Sequence, residues 1–570
     1  MPDFELLKKN PFYLDEEAVA WVKDTLASLT TEDKIGQVFC AEIREGDRKT
    51  FHDVVKNYRM GAVMVLPDTV KNLHGLIGGL QHLSKVPLLI AGNLEEGADA
   101  IKGGGTNIAN NLQIAATGEV ALAERMGAIT AAEAAAIGMN WAFAPVIDIG
   151  MNWRNAIIAT RSFGADPEFV AQAGAAFTRG LQKGGMAAAL KHFPGDGVDE
   201  RDQHFSPSVN SLDCETWDST FGEAYRRGIE AGALTVMVGH IMQPAWSKRL
   251  NPALSDGELL PASTSEELLT GLLRGRLGFN GMISTDSTTM TAFDQLLPRS
   301  KALPAAIAAG CDMILFTEDT EEDIRYMKEG VAAGIVTLER LDEAVMRVLG
   351  VKAALGLHRK KETDTFQMPY EEAETAFGRP EALNASAVCA GQCVTLVKDR
   401  GGQLPFSPKK HRRVYLITYA EGRGFGSDAK AVAEAMKERL EREGFQVTCH
   451  CDFEQDPPLR GSHANMAEQF DLILYATNLN SISNNTVCRL NWFPSMGKDA
   501  PNYIEEIPTV FVSFGNPYHL VDVPRVKTYI NAYKFKPDVI DAVVEKLLGR
   551  SAFTGVSPVD PFCGFWDTRL

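Results

Sequence analysis

The sequence is short of the features that would place it in a membrane, outside the cell or on a nucleic acid. It contains no uninterrupted apolar run of about 18 residues, the length a spanning helix needs, so no membrane span is expected. Its first residues, MPDFELLKKNPFYLDEE, lack the basic stretch, apolar core and small-residue cleavage site of a secretion signal. Paired-cysteine patterns are missing as well. The nine cysteines are scattered: Cys389 and Cys393 have helical spacing, and Cys449 and Cys451 flank His450, but neither pair has a second pair to match it. Reduced, mostly buried thiols fit this better than zinc or disulfides, and the cytoplasm is the expected compartment. Positive charge is in deficit, with 57 Lys and Arg against 74 Asp and Glu and a net charge of −17. Nucleic acid and anionic membrane would both repel such a surface, and neither is expected as a partner. Internal repeats and low-complexity tracts are absent too.

What is present is a soluble, globular composition, 45% hydrophobic and 23% charged. A length of 570 residues is too great for one ordinary domain, so a large and a smaller one are expected. Short apolar runs recur through the first 320 residues: IGQVFC (35–40), GAVMVL (61–66), PLLIAG (87–92), WAFAPVIDI (141–149), MAAALKHF (186–193), LTVMVGHI (234–241), GMISTDS (281–287) and DMILF (312–316). Continuous apolar runs of this length suit parallel strands buried on both faces. Helix-like segments at 120–138, 166–185, 265–279 and 339–356 lie between or after them, the second opening on Asp166 and Pro167 as cap and first residue. The pattern predicts an α/β fold whose first domain, residues 1–360, is a (β/α)8 barrel, a little irregular near its start.

Residues 361–384 turn charged and irregular and read as a linker. Strand-like and helix-like segments alternate again over 385–570, predicting a smaller α/β sandwich. Within it, the polar and aromatic stretch 481–499 reads as a long loop, either a surface excursion or an arm toward the barrel mouth or a neighbouring subunit. Nothing in the sequence sets the oligomeric state.

Polar groups cluster where the barrel strands should end. Asn93, Asp148, Lys191, His192, His240 and Asp286 all fall at or just after proposed strand ends, the face on which barrel enzymes build their sites. Asp286, in MISTDSTTM, is suited to attack an acetal carbon and form a glycosyl ester, or simply to cap the following turn. Asp202 and His204 are two residues apart, so in an irregular loop they can bond and fix the imidazole for proton transfer. A solvated loop histidine is the plainer alternative. Lys191 and His192 can donate to sugar hydroxyls or close a salt bridge at the core edge. A metal nest built from Asp196, Asp199, Asp202, His192 and His204 matches no closed zinc spacing, and no metal is expected.

The motifs FAPVIDI (143–149), RSFG (161–164), KHFPG (191–195) with the downstream DQH, VMVGHIM (236–242), STDSTTM (284–290), SFGNPYHL (513–520) and SAFTGVSPVDPF (551–562) resemble glycoside hydrolase family 3. The similarity covers essentially the whole chain and is nearest to the family's bacterial β-N-acetylglucosaminidase branch, which includes cell-wall recycling enzymes. The resemblance implies a retaining, exo-acting enzyme on a small carbohydrate, with no cofactor. It implies Asp286 as nucleophile, His204 as acid/base and Asp202 as its orienting partner. Lys191, His192 and Arg161 would hold sugar hydroxyls, with Asp148 and His240 in support.

Two departures stand out. Asp196 replaces a histidine usual in the branch, and Asn93 stands where the family pattern carries an acidic residue, so the sugar recognised is expected to differ. A β-N-acetylhexosaminidase is the leading expectation. The competing ones are a glycoside phosphorylase, since a histidine does not repel an incoming phosphate as a carboxylate would, a β-glucosidase-type enzyme on a modified sugar, and a non-catalytic sugar binder.

Overall fold

The computed structural model describes residues 2–43, 55–420, 428–451, 461–480, 482–484, 486–487, 489–492, 497 and 499–570. The chain forms two compact units: Met1–Ile108, Val120–Asn152 and Pro167–Leu383 in the first, and Ala109–Glu119, Trp153–Asp166 and Asn384–Leu570 in the second.

The first unit is a closed barrel of eight parallel strands in sequence order. They are β1 (Phe39–Ile43), β2 (Ala62–Val65), β3 (Leu89–Gly92), β4 (Trp141–Ala142), β5 (Ala187–Phe193), β6 (Thr235–Val238), β7 (Met282–Ser287) and β8 (Met313–Leu315). β1 closes the ring against β8, with Phe39 opposite Ile314 and Cys40 opposite Leu315. Six of these strands coincide with the apolar runs, because a strand covered by helices outside and packed inside needs an apolar residue at nearly every position.

Two runs end differently. Ile35–Gln37 was expected to start a strand but closes a helix, Thr31–Gln37, because Thr30 and Asp33 form a reciprocal capping box. The strand therefore starts at Phe39. The fourth run is a strand only at Trp141–Ala142, since Pro145 has no N–H to give the ladder. Pairing resumes through a bridge between Val146 and Lys191, with the Ile147 amide donating to the Lys191 carbonyl at 2.9 Å. That register carries Asp148 to the end of β5.

Helices Val120–Ala136 and Pro167–Lys183 pack closely on the outside of the barrel through glycines. A Cβ on Gly180 would stand 2.1 Å from the Glu124 carbonyl oxygen. Residues 361–384, expected as an irregular linker, are largely held to the first unit. They carry the end of helix Leu357–Thr363, helix Tyr370–Glu374 and the start of Pro380–Cys393. The Met368 amide donates to the Ala136 carbonyl, and the Met368 carbonyl accepts from His74 Nε2 at 2.8 Å. The charge that made this segment look like a tether is surface charge on short helices.

The second unit is a six-stranded sheet of β9 (Thr395–Asp399), β10 (Arg413–Ala420), β11 (Gln446–His450), β12 (Leu472–Asn478), β13 (Thr509–Ser513) and β14 (Thr528–Asn531), in the order β9-β14-β13-β12-β10-β11. Only the β9–β14 pair is antiparallel. Its core holds stacked rings, Tyr475 on Phe511 at 5.7 Å and Phe511 on Tyr529 at 5.4 Å between centroids. Two barrel loops are drawn into this unit. Asn110 Nδ2 donates to the Tyr533 carbonyl at 2.9 Å, and the Ala165 amide donates to the Pro558 carbonyl at 3.0 Å. The stretch 481–499 lies partly outside the described residues. Of its described residues, Leu490 and Asp499 are buried in the second unit, where Asp499 accepts from Tyr419 Oη.

Among the described residues no helix is long and apolar enough to cross a membrane, and no three His, Cys, Asp or Glu are grouped to hold a metal ion. The eight described cysteines are free thiols.

Candidate active site

The barrel brings Asp148, His192 and Asp286 together from three strand ends. Asp148, fully buried, accepts from the His192 amide at 3.1 Å and from its ring Nδ1 at 2.6 Å. The carboxylate thus fixes the ring with Nδ1 protonated and turns Nε2 toward Asp286, 3.9 Å from Oδ2. Asp286 stands near the end of β7. Its Oδ1 accepts from the Ser287 amide at 2.8 Å, while Oδ2 is buried and accepts no hydrogen bond among the described residues. Burial acts to raise the Asp286 pKa, but the neighbouring imidazoles, His192 foremost, and the Ser287 amide outweigh it and hold the carboxyl below its ordinary value. The result is an anionic oxygen with an uncommitted lone pair.

His204 rides on the loop between β5 and the two-residue strand Ser208–Val209. Its Nδ1 lies 2.6 Å from Asp202 Oδ1, which also accepts the His204 main-chain N–H at 2.9 Å. One aspartate oxygen therefore sets both the turn and the ring. Asp202 is buried and the His204 side chain is 20% exposed, so the proton-carrying edge stays reachable.

His240, just past β6, is fully buried. Its Nε2–H donates to the Ser287 carbonyl at 2.9 Å and its Nδ1 accepts from Ser263 Oγ at 3.0 Å. Burial pushes its pKa below the ordinary imidazole value, which fits this neutral, fully bonded ring. It supports the nucleophile's backbone and has no ring nitrogen left for substrate.

Lys191, 3% exposed, places Nζ 2.7 Å from Glu95 Oε1. Glu95 was missed in the sequence. It sits two residues after Asn93 in the same strand-end stretch, AGNLEEG, and was overlooked because Asn93 occupied the position of the expected acid. Asn93 itself is exposed beyond the end of β3. Asp196 is buried on the same hub: its amide donates to Asp148 Oδ1 at 2.7 Å, and its Oδ1 accepts from the Gly197 amide. Gln203, a spacer in the sequence reading, is 1% exposed and accepts the His240 amide through Oε1. Arg161 belongs to the second unit, in the short turn Ala159–Arg161, where its carbonyl accepts from Asn111 Nδ2 at 2.7 Å.

Residues 30–351 match the N-terminal domain of glycosyl hydrolase family 3. A β-N-acetylglucosaminidase/β-glucosidase from Cellulomonas fimi is 44% identical over 566 residues, 98% of this chain and 99% of the relative. A β-hexosaminidase from Stenotrophomonas maltophilia is 35% identical over 34% of this chain and 55% of its own. Among solved structures, the β-glucoside phosphorylase BglX superposes with a TM-score of 0.92 at 41% identity, covering 99% of this chain and 100% of its own. A family 3 β-N-acetylglucosaminidase from Paenibacillus sp. has the same fold, with a TM-score of 0.77 at 24% identity over 94% of this chain and 99% of its own. A barrel presenting these carboxylates and imidazoles at its strand ends, matched over more than half the chain, is a family property, and the chain belongs to glycosyl hydrolase family 3.

Proposed function

We propose that the protein is a retaining, exo-acting β-N-acetylhexosaminidase. Asp286 Oδ2 attacks the anomeric carbon while His204 Nε2–H protonates the departing glycosidic oxygen, giving a glycosyl ester and a free aglycone. The His204 imidazole, now neutral, takes a proton from water as that water displaces Asp286, and two inversions give net retention. An imidazole changes charge near neutral pH, so one side chain serves as acid and then as base. Lys191 and His192 hold the sugar hydroxyls, with Asn93 as a further contact. Asp148 and His240 orient the groups that touch substrate.

The observation that carries this reading is Asp286 Oδ2, a buried carboxylate oxygen that accepts no hydrogen bond among the described residues and lies 3.9 Å from His192 Nε2. Incubation with an activated 2-deoxy-2-fluoro glycoside should trap the ester, and peptide mass spectrometry should place the added mass on Asp286. Labelling elsewhere, or normal turnover by Asp286→Ala, would sink the assignment.

A second reading has specific support: phosphate as the acceptor in place of water. The chain is 41% identical to a β-glucoside phosphorylase over nearly its full length. Its acid/base is also a histidine, which does not repel a phosphate as a carboxylate would. Turnover compared in phosphate and in phosphate-free buffer, with sugar 1-phosphate measured, separates the two readings. The same assay run on β-glucosides and β-N-acetylglucosaminides decides the sugar.

A further inference from the structure

The acid/base dyad is joined by local bonds. Asp202 and His204 lie on the same loop, two residues apart, and Asp202 Oδ1 meets both the main-chain amide and the ring Nδ1 of His204. Those bonds set the ring relative to the loop, but they do not set the loop relative to the nucleophile. Proton transfer needs the ring nitrogen within about 3 Å of the glycosidic oxygen, and misplacement by about 1 Å costs on the order of 10²-fold in rate. The far end of the loop is tied down where the Ser208 amide donates to the His240 carbonyl at 3.2 Å, four residues past His204, so the dyad needs a nearer reference.

That reference is the side chain between the two. Gln203 points inward, 1% exposed, and its Oε1 accepts the His240 main-chain N–H at 2.8 Å. The His240 ring then donates to the carbonyl of Ser287, the residue after the nucleophile, at 2.9 Å. A Cβ on Gly239 would stand 2.6 Å from Gln203 Oε1, so the glycine leaves the room in which this clamp closes. Beyond His204, Gln295 Nε2 donates to the Phe205 carbonyl at 2.6 Å, but Gln295 is exposed. The buried contact is therefore the stiffer of the two.

We propose that Gln203 is a positioning residue that registers the Asp202–His204 dyad against Asp286, through the His240 amide and the His240–Ser287 bond. This rests on His204 being the acid/base. A main-chain N–H can only donate, so residue 203 must supply an acceptor of about this reach. Glutamate can do so fully, whereas the methionine thioether is only a weak acceptor.

The test uses two glycosides of the sugar that the wild type accepts, one with an alkyl and one with a 2,4-dinitrophenyl leaving group. The activated phenol scarcely needs an acid to depart. Gln203→Met should lose on the order of 10²-fold in kcat/KM, which reports the step that expels the leaving group, on the alkyl glycoside and under about 10-fold on the dinitrophenyl one. Gln203→Glu should keep the wild-type ratio between the two substrates. Gly239→Ala leaves Gln203 in place but crowds its Oε1, and should shift the substrate ratio in the same direction as Gln203→Met. It decides the question alone if Gln203→Met does not fold. An unchanged kcat/KM ratio in Gln203→Met and Gly239→Ala, including an equal loss on both substrates, overturns the positioning role. If His204→Ala itself showed no leaving-group dependence, the acid/base reading would fall, and the positioning role with it.

Discussion

Asp148 meets His192 twice, accepting from the ring Nδ1 at 2.6 Å and from the main-chain amide at 3.1 Å. The double contact locks the ring's rotation and its tautomer together, and a third donor, the Asp196 amide at 2.7 Å, completes the carboxylate. This buried anion holds the His192 imidazole with its Nε2 3.9 Å from Asp286 Oδ2.

Asp148→Asn keeps the shape but brings an NH2 group against donors. At least one bond to a charged acceptor is lost, worth about 1.5–3 kcal/mol, and the His192 tautomer is no longer dictated. The expected outcome is a kcat/KM lower by on the order of 10²-fold, together with a drop in melting temperature. A variant with wild-type kinetics would show that the ring needs no such partner.

The Glu95–Lys191 pair predicts a different signature. Lys191 is buried at the mouth with its ammonium 2.7 Å from the Glu95 carboxylate. Glu95→Gln keeps a hydrogen-bond acceptor but removes the charge that holds Nζ in place. If Lys191 binds sugar alike in ground and transition states, KM should rise about 10-fold with kcat little changed. A fall in kcat at constant KM would assign the pair to the transition state alone.

These pairs show which parts of the site were legible in the sequence. Asp202 and His204 were, because their bond is local and needs only an irregular loop. Asp148 and His192 were both noticed, but their bond depends on the pairing of residues 146–147 with Lys191, a register that no local pattern reveals. Glu95 and Gln203 stayed hidden because each sits beside a more conspicuous residue, and their partners come from distant strands. The same holds for the fold. The barrel strands stand out as apolar runs, whereas the passage of residues 109–119 and 153–166 into the second unit depends on tertiary bonds such as Asn110 to Tyr533.

His519 predicts an acid-sensitive second unit. The ring is fully buried beside Ser513 Oγ, and burial pushes its pKa down to about 4. The unfolded chain takes up this proton near pH 6.5, while the folded one resists until about pH 4. Stability therefore falls as pH drops across that window, by about 3 kcal/mol from this group. In calorimetric scans between pH 7.5 and 4.5, His519→Gln should lose less stability than the wild type. An equal loss in both proteins would assign the acid sensitivity to other groups.

Lys352 predicts the same direction of pH dependence on the alkaline side, with stability rising as pH rises. It is fully buried in helix Leu338–Ala354, its Nζ donates to Gln37 Oε1 at 2.7 Å, and burial pushes its pKa down to about 7. Gln37 is held the right way round because its Nε2 donates to the Arg59 carbonyl at 2.6 Å. The unfolded lysine stays charged to about pH 10.4. The burden of the buried charge is thus full below pH 7 and eases as pH rises toward 10. Its ceiling is about 5 kcal/mol, and the Gln37 oxygen left without a donor in Lys352→Met offsets about 1–3 kcal/mol of the gain. The methionine variant should therefore melt higher than the wild type at pH 6, and the gap should narrow by pH 9.5. If it melted lower at both pH values, the Gln37 bond would outweigh the buried charge, and Lys352 would be a net structural asset to the barrel.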